Sequence, residues 1–184
     1  MRSALILAIA FVTTSALAQE QMPSRKAGLW EMTMTFEGRG APPQTMQQCI
    51  DAATDKSMQD MSQGMRGQSC SKRETKKVGN TIVFDSVCSM GAGTTTSHGV
   101  VAGDFNSAYT VKINSKREGG APNPNMPPET NMTVESKWLG PCKADQKPGD
   151  IIMANGMKMN VTDMQRGGPP GMPPGAGGPP GMRK

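Results

Sequence analysis

From Leu29 to Glu37 apolar and polar side chains alternate without a break. Trp30, Met32, Met34 and Phe36 fall on one side, and Glu31, Thr33, Thr35 and Glu37 fall on the other. A period of two is the signature of a half-buried β-strand and is incompatible with a helical stripe. The pattern recurs at Ala108 to Lys116, where Tyr109, Val111 and Ile113 alternate with Thr110, Lys112 and Asn114. It recurs again where Met132, Val134, Ser136 and Trp138 share one side of a run that ends in Leu139-Gly140-Pro141-Cys142. The large aromatic, the Gly-Pro breaker and the cysteine read as a clasp that closes the last long strand.

Between these runs the breakers set the connectivity. Gly38-Arg39-Gly40-Ala41-Pro42-Pro43 ends the first strand, and Gln44 to Ile50 reads as a second, more polar one. Asp51 then suits a helix N-cap, Asp55 sits in the first turn where the dipole favours a negative charge, and Met58, Met61 and Met65 fall at helical spacing, which predicts a helix from Ala52 to Gln63. Gly64 and Gly67 limit its extension. Cys70 to Val78 and Thr81 to Ser89 flank Gly79-Asn80, a two-residue hairpin signal whose first position needs positive φ. Thr94 to Gly103 reads as a β-branched strand. Gly119 to Pro128 is a Pro/Gly/Asn loop, and Asn155-Gly156 signals a type I′ turn in a small hairpin from Ile151 to Asn160. About eight short strands in sequence with one short helix predict an all-β fold. The expected form is an antiparallel meander making a small barrel or half-barrel, and the alternative is a two-sheet β-sandwich.

The chain opens with Met1-Arg2, an apolar run from Ala4 to Val12, and Ala16-Leu17-Ala18. That order is a secretory signal peptide, too short in its apolar part to span a bilayer. The expected organisation is a leader over 1–18, a linker over 19–27, one β domain over 28–162, and a disordered tail over 163–184 that repeats Pro-Pro-Gly-Met. Loss of Arg2 with the leader lowers the net charge from +5 to +4. Lys72, Arg73, Lys76 and Lys77 cluster with Arg66, opposed only by Glu74. Without interleaved aromatics this run does not read as a nucleic-acid surface, and it fits an edge strand guarded by lysines.

Four cysteines, Cys49, Cys70, Cys88 and Cys142, in an exported chain predict two disulfides rather than a zinc site, since no two are closer in sequence than Cys70 and Cys88. Pairing Val78 with Thr81 places Cys70 opposite Ser89, so Cys70 and Cys88 would face opposite ways. The expected bridges are therefore Cys49–Cys70 and Cys88–Cys142, and a three-residue turn would instead join Cys70 to Cys88.

Seventeen methionines suggest a copper-binding or oxidant-protective protein, because thioethers are soft ligands. Their spacing argues for core filler instead, and the expected hairpin points Met153 away from Met157 and Met159. His98 is the only histidine, and neither a Gly-x-Ser-x-Gly elbow nor a Ser-x-x-Lys motif accompanies it. Asn131-Met132-Thr133 and Asn160-Val161-Thr162 match the N-glycosylation pattern.

Gly28-Leu29-Trp30-Glu31, Gln48-Cys49, Val78-Gly79-Asn80-Thr81, Val87-Cys88, Gly103-Asp104-Phe105-Asn106-Ser107-Ala108-Tyr109-Thr110, Trp138-Leu139-Gly140-Pro141-Cys142 and Lys147-Pro148-Gly149-Asp150 resemble the domain-of-unknown-function 3617 family over about Gly28 to Val161. The resemblance implies an exported envelope protein of Gram-negative bacteria and supplies no catalytic or ligand-binding residue. The expectation is a monomeric, non-enzymatic periplasmic module with no metal, cofactor or transmembrane segment. It would bind a small apolar ligand if hollow, or an envelope partner if filled.

Overall fold

The structure, a computed structural model, describes residues 22–38, 40–63, 68–90, 92–120 and 127–165. The expected leader, Met65, Arg66, the centre of the Gly119 to Pro128 loop and the expected tail from Arg166 lie outside the described residues. The strands are β1 (Gly28–Phe36), β2 (Gln44–Ile50), β3 (Gln68–Val78), β4 (Thr81–Met90), β5 (Gly93–Asp104), β6 (Ala108–Gly119), β7 (Glu129–Gly140), β8 (Asp150–Met153) and β9 (Lys158–Asn160). Helix α1 (Ala52–Gln63) follows β2, and a short α2 (Val161–Gln165) follows β9. All nine strands form one sheet in the order β3-β4-β5-β6-β7-β1-β2-β8-β9. Every neighbouring pair is antiparallel.

The expected all-β antiparallel fold with a short helix is present, with nine strands. Strands β3 to β7 are a meander, as the hairpin signals require, and β1 pairs with both β7 and β2, which returns the first alternating run to the sheet interior. Among the described residues no ladder joins the edges β3 and β9. The lysine-rich run lies on edge strand β3, where Lys72 and Lys76 sit 3.6 and 3.1 Å from Glu74.

Cross-strand partners share a face, so the register sorts the sheet into two unequal sides. The apolar face carries Trp30, Met32, Met34 and Phe36 on β1, Tyr109, Val111 and Ile113 on β6, and Ile82 and Phe84 on β4. The opposite face carries Glu31, Glu135, Lys137, Lys112, His98 and Asp85. The buried centre of the apolar face is small: Trp30, Ile50, Val101 and Tyr109. Each such side chain contributes roughly 1.5–3 kcal/mol when fully buried, so the remaining stability leans on cross-links. Gly99 has a definite reason to be glycine within β5, because a Cβ there would lie 2.0 Å from Cζ of Phe84, whose ring covers it.

Two expectations are overturned by single-residue register shifts. The disulfides are Cys49–Cys142 and Cys70–Cys88; the expected Cys49–Cys70 and Cys88–Cys142 bridges do not form. The Gly79-Asn80 turn is as expected, with φ of 61° at Gly79 and Val78 opposite Thr81. A bulge between Cys70 and Lys72 then inserts Ser71 into β3 and moves Cys70 from Ser89 onto Cys88, with Cα atoms 3.9 Å apart. Cys142 ties the end of β7 across β1 to Cys49 in β2, so the clasp is closed, with a different partner.

The second shift is in the β8–β9 hairpin. Ile152 pairs with Lys158 and the Met153 N–H donates to the Met157 carbonyl, so the loop is one residue longer than a type I′ turn. Met153 and Met159 therefore lie on the same face, contrary to expectation. Helix α2 also makes Asp163 to Gln165, expected to begin the tail, helical.

Candidate functional site

Within the stretch expected to be a linker, the described residues 22–27 pack back onto the fold, with Met22 and Arg25 half-buried and the other four exposed. Arg25 reaches under α1 and donates through Nε to Asp55 Oδ1 at 2.7 Å, through its own backbone N–H to Asp55 Oδ2 at 2.9 Å, and through Nη1 to Gln48 Oε1 at 2.9 Å. Its remaining N–H groups approach the sulfurs of Met32 and Met58 at 3.8 and 3.6 Å, and its guanidinium lies 5.9 Å from the Trp30 ring centre. Asp55 is fully buried, and Gln59 supplies it with a further hydrogen bond at 3.0 Å. Asp55 is held in place by the helix start itself. Asp51 caps α1 through Thr54, accepting its N–H at 2.8 Å and its hydroxyl at 2.7 Å. These bonds, the backbone N–H of Thr54 foremost, hold the Asp51 carboxyl below its ordinary range.

The same segment meets the clasp. The indole N–H of Trp30 donates to the Lys26 carbonyl at 2.8 Å, that of Trp138 donates to the Ala27 carbonyl at 3.1 Å, and Lys26 Nζ lies 3.6 Å from the centre of the Trp138 ring. Gly28 permits this closure. Its φ is 132°, and a Cβ would sit 2.4 Å from the Gly140 carbonyl oxygen and 2.6 Å from Trp138 Nε1. Residues 22–27 thus form a strap fixed to β1, β7 and α1, and one end of the apolar face is closed.

The rest of that face is less covered. Met34, Phe36, Ile82, Phe84, Val111, Ile113 and Met132 are all only half-buried. Tyr109 is buried at the boundary, stacked on Phe105 with centroids 4.8 Å apart and tilted against Trp30 at 5.6 Å. The Ser136 hydroxyl beneath this aromatic group is buried without a hydrogen-bond partner. This partly open apolar surface is the candidate site.

The other residues flagged by sequence go elsewhere. All four cysteines are in disulfides, as expected of the residues though not of their pairing. His98 lies on the polar face, its Nδ1 2.8 Å from Asp85 Oδ1, and this contact, ahead of other influences, lowers the Asp85 carboxyl pKa. Asn131 is exposed, but Asn160 is buried, its amide donating to Asp150 and to the Pro148 carbonyl, so the second glycosylation match is structural. Met32, Met46 and Met153 occupy one cross-strand row. Two of the nearby sulfurs, Met32 and Met58, face a guanidinium, which repels a metal cation. Among the described residues no group of three or more His, Cys, Asp and Glu side chains could hold a metal ion, and no helix is long and apolar enough to cross a membrane.

Sequence reasoning missed the strap because its anchors, Arg25, Asp55 and Gln48, are far apart in the chain. The signal was Asp55 itself, a carboxylate one turn into a helix on the side shared with Met58.

No curated protein and no solved structure matches the chain. One family model does match, described as a protein of unknown function (DUF3617), over residues 25–142. That span opens on the residue that anchors the strap and ends on the cysteine that closes the clasp, while β8, β9 and α2 fall outside it. With nearly two thirds of its length matched, the chain belongs to the DUF3617 family of proteins of unknown function.

Proposed function

We propose that this protein is a monomeric, non-enzymatic binding module of the bacterial periplasm, which holds an apolar ligand against the open part of its sheet. The observation that carries the reading is the row of half-buried apolar side chains from β4 to β1 on a face whose reverse is charged. Natural domains rarely leave such a surface without a use. A nine-stranded open sheet also tends to curl. Curling about the apolar side would make a half-barrel, with the strap and α1 closing one end and the ligand entering from the other.

The two disulfides point to an oxidising environment outside the cytoplasm, in keeping with export by the leader. A binding role rather than catalysis is supported by the make-up of the strand face, which among the described residues offers hydroxyls and the cations Lys77, Arg73 and Arg117 but no carboxylate, the single histidine being on the other side. The Arg25–Asp55 pair is fully engaged in holding the strap.

Titration of the purified protein with N-phenyl-1-naphthylamine, an uncharged apolar fluorophore, tests the reading. Saturable enhancement that Ile113→Asn weakens is the expected result. Enhancement that never saturates, or that Ile113→Asn leaves unchanged, would remove the apolar face as the site. A soft-metal role is favoured by one observation, the Met46–Met153 cross-strand pair. Titration with silver ion showing no binding tighter than that of Met46→Leu would dispose of it.

A further inference from the structure

The apolar face changes character along the strands in one direction. On β6 its residues read Tyr109, Val111, Ile113, Ser115 and Arg117, from aromatic through aliphatic to hydroxyl to cation. Strand β5, running the opposite way, matches them in space with Gly103, Val101, Gly99, Ser97 and Thr95. Strand β4 adds Ile82, Phe84 and Ser86 in the same order. From β4 to β7 the register therefore stacks an apolar zone, then a hydroxyl row of Ser86, Ser97, Ser115 and Thr130, then Arg117 on β6, while edge strand β3 carries exposed cations on the same face at both levels, Lys77 opposite Ile82 and Arg73 opposite Ser86. Arg117 lies opposite Thr95, just past the hydroxyl row, and Arg73 flanks that row on β3, opposite Ser86.

The zones are structurally defined. Ser97 and Ser115 hydroxyls meet at 2.9 Å. Arg117 is half-buried, its guanidinium packed over glycines so that a Cβ on Gly120 would come within 2.8 Å of Nη2. Among the described residues, no carboxylate lies within ion-pair distance of it, whereas Lys72 and Lys76 on the other face share Glu74. A partly desolvated cation without a counter-ion favours an arriving anion. From Tyr109 to Ile113 the apolar zone spans about 14 Å, and Arg117 lies roughly as far again beyond it.

We propose that this face takes a single-chain anionic lipid of the envelope, with the acyl chain on Val111, Ile113 and Phe84 and a phosphate or carboxylate head at Arg117. The assignment rests on the apolar-ligand reading above and adds the headgroup. Hydroxyls between the two zones suit the polar linkage of such a lipid, and an uncharged or cationic head would leave Arg117 without its partner.

The test is calorimetric titration below the critical micelle concentration with dodecyl phosphate, dodecyl maltoside, dodecyltrimethylammonium and inorganic phosphate. Wild type is expected to bind dodecyl phosphate about tenfold more tightly than the maltoside and inorganic phosphate far more weakly. Arg117→Gln should erase the preference while leaving maltoside affinity intact, and Lys112→Gln on the other face should change neither. Should Arg117→Gln lose maltoside binding as well, Arg117→Lys and added salt decide: the lysine must keep the preference and salt must reduce it. Equal affinity for all three dodecyl compounds would overturn the headgroup assignment and leave apolar binding standing. Binding of inorganic phosphate as tight as that of dodecyl phosphate would overturn the lipid assignment. Failure of every dodecyl compound to bind would overturn both readings.

Discussion

Removing the two disulfides separately should destabilise the protein by unequal amounts that follow from the chain each one closes. The Cys49–Cys142 bridge spans a separation of 93 residues and Cys70–Cys88 a separation of 18. In the loop-entropy treatment these correspond to about 4.7 and about 3.2 kcal/mol, a difference of about 1.5 kcal/mol. Packing leaves the gap much as it is, because each bridge joins a buried cysteine, Cys49 or Cys88, to a half-buried one, Cys142 or Cys70, and truncation leaves a void at either buried end. Guanidinium unfolding of Cys49→Ala/Cys142→Ala and of Cys70→Ala/Cys88→Ala, without reductant, measures both. The long-range pair should cost more and lower the midpoint further. Equal losses, or a larger loss from the Cys70/Cys88 pair, would refute the reasoning, as would a peptide map joining Cys49 to Cys70.

Arg25→Met should cost about 3–5 kcal/mol, because it leaves Asp55 buried and uncompensated; in Arg25→Met/Asp55→Leu much of that loss should return, as read by denaturant midpoints. Ser136→Ala should leave stability unchanged or raise it, since the hydroxyl is buried without a partner; a loss above about 1 kcal/mol would indicate a hydrogen bond at that site. Asp150 predicts an acid dependence. Burial, the largest single influence, pushes its carboxyl up, but hydrogen bonds from Asn160, the Lys147 N–H and Lys158 together hold it below its ordinary 3.8. A depressed folded pKa contributes stability that is complete above the ordinary value and is lost as pH falls from there through the lowered one. Asp150→Asn should therefore flatten the stability–pH curve below about pH 4 and leave its slope near neutrality unchanged.

Most of the fold was legible because it is written locally. The alternation at Trp30 to Phe36 gave β1, Asp51 and the methionine spacing gave α1 with the bounds observed, and Gly79 fixed the β3–β4 turn. What was not legible depends on one-residue events with no local signature. Ser71 adds nothing to a β-pattern, yet its bulge exchanges both disulfide partners. The extra loop residue before Met157 likewise brings Met153 round to the side of Met159. The strap was hidden for another reason. Arg25 looks like an ordinary cation in a polar lead-in, and only the fold brings it to Asp55, 30 residues on. The candidate face was half-legible, since Val111 and Ile113 read as core, but the sequence of zones from Tyr109 to Arg117 acquires meaning only when the register aligns β4, β5 and β6.

The central claim is that a ligand lies on the apolar face, and methionine methyl NMR tests it directly. Met34 and Met132 sit on that face, while Met157 is half-exposed in the β8–β9 loop. With methyl-labelled methionine and dodecyl phosphate below its micelle concentration, the Met34 and Met132 signals should shift and saturate together while Met157 stays in place. Shifts confined to Met157, or equal shifts at all of these methyls, would contradict it.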